Sequence, residues 1–213
     1  LGEHDWIFPD ASTSVAAVLR GMSLRRWFDH LYGNASDPTR GKSVPGHLSA
    51  RAHRVACVAG RIGMQLTEAV GFAWASRAKG DADVTVAFLD ESETAAGDFH
   101  NGLNFAGVYR SPVVFVCRSR EGSPAAVHGA APTVAQRAFA YGIKPARVDG
   151  DEGAVDAIEA IGFRLRKRGG PADVLVTALG HAAPVTQFVA AEALHGFNRF
   201  EIPAGLRIGF YIG

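Results

Sequence analysis

Two short charged clusters follow directly on apolar runs, the usual place for chemistry in a chain that alternates strands and helices. Asp90-Glu91-Ser92 follows Asp83-Val-Thr-Val-Ala-Phe-Leu89, and Arg118-Ser119-Arg120 follows Pro112-Val-Val-Phe-Val-Cys117. Adjacent carboxylates repel a phosphate unless a cation intervenes. A guanidinium has no acceptor atom and stays charged, so it cannot ligate a metal; it pairs with a carboxylate or holds a small anion. Asp98 and His100 lie at the start of a helical pattern and read as capping and orienting residues, and Asp149 reads as a turn residue. The eight histidines are scattered, with none at metal-ligand spacing, and read as surface or satisfied core residues. Cys57 and Cys117 sit far apart in apolar runs and read as small buried hydrophobes of a reduced compartment.

The elements that must position these clusters are legible in the periodicity. The runs at 83–89 and 112–117 are continuous apolar stretches of the kind found in buried parallel strands. Between them, residues 97–109 place Phe99, Leu103 and Ala106 on one helix face, which makes a strand–helix–strand crossover. Ser12 or Ser14 is expected to cap a helix carrying Val15, Val18, Leu19 and Met22, with a second short helix through Leu31 ending at Gly33. Residues 34–47 read as a long surface loop. A helix over 61–79 is lined with Gly63, Ala69, Gly71, Ala73 and Ala75, and its small-residue face fits an interior or subunit contact. Further on, a helix from Thr133, a strand at 147–149, an amphipathic helix at 152–168 with a solvated basic last turn, and a strand at 174–177 are expected. One more helix after Pro184 and a final strand at 207–211 complete the pattern. It predicts an α/β fold with a mostly parallel central sheet and helices on both faces.

The chain of 213 residues suits one domain, and no repeat or linker divides it. A formal net charge of +1 gives no bulk electrostatic case for nucleic acid or an anionic membrane. No apolar stretch approaches the ~20 residues needed to cross a bilayer. The N-terminal residues show neither a basic nor an apolar targeting segment, so a cytoplasmic location is expected.

The segment VAFLDESETAAGDFHNGLNFAGVYRSPVVFVC resembles the alpha subunit of thiamine-diphosphate-dependent 2-oxo acid dehydrogenases, the branched-chain type most of all. Gly97-Asp-Phe-His100, Leu103-Asn-Phe-Ala106 and Pro112-Val-Val-Phe115 carry the likeness. Asp5-Trp-Ile-Phe-Pro9, residues 28–37 and 65–74, Ala140-Tyr-Gly142 and Arg147-Val-Asp-Gly150 extend it in order, so that it spans roughly residues 5–171. The resemblance implies a thiamine-diphosphate-binding fold as a single domain over residues 1–213, without the family's N-terminal helical extension. It also implies that the alpha subunit holds the diphosphate and Mg²⁺, and that a beta-like subunit completes a heterodimer or heterotetramer, with self-association as the alternative. In such a site a glycine-bounded turn, a helix N-terminus and oxygen ligands from an Asp and an Asn cradle the cofactor.

Against that pattern the family's Gly-Asp-Gly falls on Asp90-Glu91-Ser92, and the Asn-Asn pair falls on Ser119-Arg120. Asp90, Glu91, Ser92, Ser119 and Arg120 are therefore the cofactor-binding positions in degenerate form, and Glu91 is the metal ligand that could survive. The Tyr-Arg-x-x-His expected after Phe8-Pro9 reads Ala11-Ser12-Thr13-Ser14, and His181 stands near the family's phosphorylation loop. The expectation is that Arg118 or Arg120 pairs with Asp90 or Glu91 and fills the vacated cation pocket. Three functions follow, in order of preference. The first is a catalytically impaired subunit kept for assembly with a beta-like partner. The second is an active thiamine-diphosphate-dependent oxidoreductase component. The third is the same fold holding another small anion through Arg118 and Arg120.

Overall fold

The computed structural model describes residues 2–120, 131, 133–149 and 175–180, with side chains on the third strand as far as Arg118. Strands β1 (Trp6–Phe8), β2 (Thr85–Asp90), β3 (Val113–Arg120), β4 (Pro145–Asp149) and β5 (Leu175–Gly180) form one sheet in the order β1-β2-β3-β5-β4. Every pairing in it is parallel. All its carboxyl ends therefore lie along one edge. Asp90 ends β2 in register with Arg118, while Ser119 and Arg120 pair with Leu179 and Gly180.

Side chains alternate across the pleat. Phe8, Ala87, Leu89, Val113, Phe115 and Cys117 enter one core with the helices α3 (Met64–Lys79) and α4 (Gly97–Tyr109). On the opposite face Val84, Val86, Val114 and Val116 pack together. There Ile7 meets Ala16 and Ala17 of α1 (Ala16–Leu19), together with Leu48, Ala50 and Val55. By this alternation Arg118 belongs to the face opposite α3 and α4.

The two crossover helices lie close because one residue has no side chain. A Cβ on Gly102 of α4 would stand 3.0 Å from the Leu66 Cβ of α3. The small residues of α3 divide in two. Ala69 and Ala73 are fully buried in the core, whereas Gly71 and Ala75 face outward beside Trp74. The helix starts three residues later than the periodicity implies, because Gly63 takes a left-handed φ of 80° that no helix interior accepts. Gly80, with φ 82°, closes it.

The N-terminal pattern resolves into a 3-10 turn (Ala11–Thr13), α1 and α2 (Leu24–Leu31), the last capped by Ser23. The loop after α2 is pinned by a buried node: Asp37 accepts from Thr39 N, Thr39 Oγ1 and Gly41 N, and lies 3.1 Å from His30 Nδ1. Those bonds, led by the Thr39 hydroxyl, hold the Asp37 carboxyl well below the usual carboxylate range.

Several expectations change. Thr133 caps only a single turn, α5 (Val134–Arg137), which tightens into a 3-10 turn (Ala138–Tyr141) and leaves Phe139 exposed. Asp149 is the last residue of β4 rather than a turn residue. Asp98 does not cap α4, since Ala96 holds the N-cap position without a side-chain bond. Asp98 sits in the first turn, 3.8 Å from the exposed Arg61. The amphipathic pattern at 152–168, the tail after Pro184 and His181 lie outside the described residues. Among the described residues no helix is long and apolar enough to cross a membrane.

Candidate functional site

Three strand ends meet at the carboxyl edge of the sheet, and each brings charge. At the end of β1, Asp10 caps the turn Ala11–Thr13. Its Oδ1 accepts from Ser12 N (3.1 Å), Ser12 Oγ (2.9 Å), Thr13 N (2.9 Å) and Thr13 Oγ1 (2.9 Å), while Asp10 N donates back to Thr13 Oγ1 at 3.0 Å. This is a reciprocal capping box, and it occupies the stretch where the family resemblance implies a Tyr-Arg-x-x-His.

At the end of β2, Asp90 repeats the device. Its Oδ1 accepts from Ser92 N (3.1 Å) and Ser92 Oγ (2.9 Å), and Asp90 N donates to Glu93 Oε1 at 3.3 Å. The turn Glu91–Ala95 follows, with Thr94 Oγ1 donating to Glu91 O at 2.7 Å and accepting from Arg137 Nη1 at 2.9 Å. The other oxygen of Glu93 accepts from Gln65 Nε2 at 2.6 Å, and the same amide group donates to Phe88 O at 3.1 Å. Burial pushes the Glu93 carboxyl up, against the pull of Gln65 and the Asp90 N–H; Asp10 pushes it further and Arg118 opposes. Glu91 is itself buried, with 6% of its surface exposed.

At the end of β3, Cys117 is fully buried, and burial raises its thiol far above the usual range, with the fields of Glu91 and Asp90 adding to it. A thiol held protonated in this way is not a nucleophile. Arg118 Nη2 donates to Asp10 Oδ2 in a close contact, with the two side chains 12% and 5% exposed. The expected pairing of Arg118 with Asp90 or Glu91 is thus corrected: its carboxylate is Asp10, two strands away.

Reach and burial explain the choice. Strands lie ~4.8 Å apart, so β1 and β3 are ~10 Å apart across β2, a span that one arginine and one aspartate cover together. Asp90, half-buried, has one oxygen committed to its own turn at the periphery. Asp10 is buried, and an ion pair there is screened far less. Sequence reasoning missed Asp10, Glu93 and Gln65. The signal available was the shared pattern Asp-x-Ser-Thr and Asp-x-Ser-Glu directly after two apolar runs.

Of the family-derived positions, Asp90, Glu91 and Ser92 form the turn after β2, and the backbone of Ser119 and Arg120 extends β3 beside it. His100, expected to orient the crossover helix, meets Tyr141 Oη through Nδ1 and so ties α4 to the turn after α5.

A wholly parallel sheet with charged turns gathered at its carboxyl edge is an α/β architecture, and its likeness to two solved structures identifies it as the thiamine-diphosphate-binding fold. The same fold occurs in a transketolase from Leishmania mexicana (TM-score 0.58, 14% identity, covering 83% of this chain and 28% of that one). It also occurs in a Mycobacterium smegmatis protein classed as thiamin diphosphate-dependent (TM-score 0.51, 18% identity, 85% of this chain and 29% of that one).

Residues 1–176 match the dehydrogenase E1 component family, and the chain belongs to it. Among its relatives, the 2-oxoisovalerate dehydrogenase subunit alpha of Pseudomonas aeruginosa is 30% identical over 177 residues, 80% of this chain and 43% of that protein. The subunit alpha 2 of Arabidopsis thaliana is 31% identical over 155 residues, 71% of this chain and 33% of that protein. The chain thus spans less than half the length of these relatives.

Proposed function

We propose that this chain is an alpha-subunit-like member of the 2-oxo acid dehydrogenase family that carries out no thiamine chemistry of its own and serves assembly with a beta-like subunit. One observation carries the reading: among the described residues, several polar groups at the carboxyl edge engage one another. Arg118 is engaged by Asp10, Ser92 N by Asp90, and Asp90 N by Glu93.

The donor chemistry does not fit thiamine diphosphate with Mg²⁺. The N–H groups of Asp90 and Ser92 in this turn already have carboxylate acceptors, and no residue at 90–92 is a glycine that would let the backbone approach closely. Asp10, Asp90, Glu91 and Glu93 add negative charge to the place where a diphosphate would lie. Position 120, where the family offers an asparagine oxygen, carries an arginine. No reaction step is therefore assigned to this site.

Support for assembly comes from the outer face of α3 and α4. Trp74 (51% exposed), Phe105 (45%) and Tyr109 (46%) stack there as an aromatic cluster, with ring centroids 5.4 and 5.9 Å apart. Exposed aromatic clusters of this kind mark contact surfaces. The 2-oxoisovalerate dehydrogenase relatives are named as alpha subunits, which favours a partner of the beta kind.

Glu91 favours a second reading, an active component, because a buried carboxylate stands at the family's metal position. Titration with thiamine diphosphate and Mg²⁺ separates the two, together with size-exclusion of the chain co-expressed with a beta-like subunit. Assembly without Mg²⁺-dependent cofactor binding is expected. Saturable cofactor binding moves the assignment to the active component, and a chain that stays alone removes the assembly role. The third expectation, another anion held by Arg118 and Arg120, loses ground at Arg118, whose guanidinium is already paired.

A further inference from the structure

We propose that the exposed face of α2, with the loop that follows it, is a docking surface for an acidic protein segment carrying apolar side chains among its carboxylates. This face is separate from that of α3 and α4: Trp27 of α2 packs against the cluster around Ile7, on the other side of the sheet. The inference therefore does not depend on the assembly reading.

The surface combines aromatic area with positive charge that nothing local answers. Residues three and four apart on a helix are neighbours, so Arg25, Phe28 and Tyr32 lie along one stripe of α2. Phe28 and Tyr32 are 39% and 79% exposed and stack on each other, with ring centroids 6.2 Å apart. Arg25, Arg26, Arg40 and Lys42 are exposed, and among the described residues none of their side chains has a hydrogen bond or an ion pair. The two carboxylates of this stretch do not compensate them. Asp37 is buried in its own node, and Asp29 accepts from Asn34 Nδ2 at 2.7 Å. That node also fixes the loop. Asp37 accepts from the N–H groups of Thr39 and Gly41, on either side of Arg40, and meets His30 of α2, so Arg40 is held at the end of the helix.

The charges stand where they disfavour folding. Arg25 and Arg26 occupy the first turn of α2, beside the positive end of the helix dipole, with no acidic residue in that turn. Arg40 takes a left-handed φ of 54°, which strains a side-chain-bearing residue and suits glycine. Local rules broken together on one surface mark a site of function. A partner's carboxylates neutralise the four cations, and apolar groups between them cover Phe28 and Tyr32. With a net charge of only +1 over the whole chain, the surface fits an acidic protein segment better than a nucleic-acid backbone.

The test is fluorescence anisotropy of the full chain with a labelled synthetic peptide of Glu-Glu-Leu-Ala repeats, beside thermal unfolding of each variant. Saturable binding is expected. Arg40→Gly should weaken it about threefold, and Arg25→Glu/Arg40→Gly about tenfold. Both variants should raise the unfolding midpoint, by roughly 2 °C or more, since each removes an unfavourably placed cation. A structural role moves affinity and stability together, whereas docking moves them in opposite directions. Tyr32→Ala should weaken binding about fivefold with the midpoint unchanged. No saturable binding overturns the proposal, as do equal binding of a Gln-Gln-Leu-Ala peptide, unchanged affinity in the double variant, or a lowered midpoint in it. Tighter binding of a single-stranded oligonucleotide or an anionic lipid vesicle through the same cations also overturns it and assigns the surface to that partner. None of these outcomes touches cofactor binding or beta-subunit assembly, so failure here is distinct from failure of the assembly reading.

Discussion

The ends of β1 and β2 are built to one local plan and end in different places. At or just after each strand end an aspartate caps a 3-10 turn, accepts from the N–H and hydroxyl of a serine two residues on, and donates its own N–H to the side chain three residues on. At β1 the returning group is the short hydroxyl of Thr13, Asp10 and Thr13 are buried, and Asp10 has a charged partner on β3. At β2 the returning group is the Glu93 carboxyl, which reaches on to Gln65 of α3, and Asp90 stays half-buried. The contrast teaches that a capping pattern fixes the turn, while burial decides whether the second carboxylate oxygen must find a cation.

The largest expected effect tests that contrast directly. Asp10→Ala removes a cap and strands a buried guanidinium, so a loss of about 3–5 kcal/mol is expected in urea unfolding. Asp90→Ala removes a cap alone and should cost about 1 kcal/mol. Equal losses would mean that the Asp10–Arg118 pair adds nothing beyond capping.

Gln65→Leu comes next. It takes the amide donor from both Phe88 O and Glu93, so an intermediate loss of about 1–2 kcal/mol is expected by the same method, with the β1 end unaffected.

Glu93→Gln sharpens the electrostatics of the β2 end. Burial raises the folded-state carboxyl above its unfolded value of 4.5, so Glu93 contributes stability below that pH and loses it as pH rises through the folded value. The variant should therefore be more stable than wild type at neutral pH, with the gain fading toward pH 4.5. A pH-independent difference in unfolding midpoint would contradict this account. Ser12→Ala and Ser92→Ala should give the smallest effects, each within about 0.5 kcal/mol, because each hydroxyl only supplements a backbone N–H on the same oxygen.

Much of the fold is legible in the residues, and the reasons differ by element. The apolar runs ending at Leu89 and Cys117 and the crossover helix between them announce a parallel sheet, because burial on both faces demands continuous hydrophobicity. Strand β1 does not announce itself, since three residues carry no periodicity; it is fixed by its register with Thr85, Val86 and Ala87. A turn directly after the apolar run ending at Leu89 is present as Glu91–Ala95, capped by Asp90. The partner of Arg118 is Asp10, not Asp90. Sequence proximity to the strand end favours Asp90, and only the sheet order, which sets β1 beside β2, brings Asp10 within reach.

The proposed function turns on whether this chain binds thiamine diphosphate. Calorimetric titration of the purified protein, with any partner that co-purifies, against thiamine diphosphate and Mg²⁺ decides it. No saturable, Mg²⁺-dependent heat is expected from a folded sample. Saturable binding that requires Mg²⁺ and is lost in Glu91→Gln would contradict it and make Glu91 a working metal ligand.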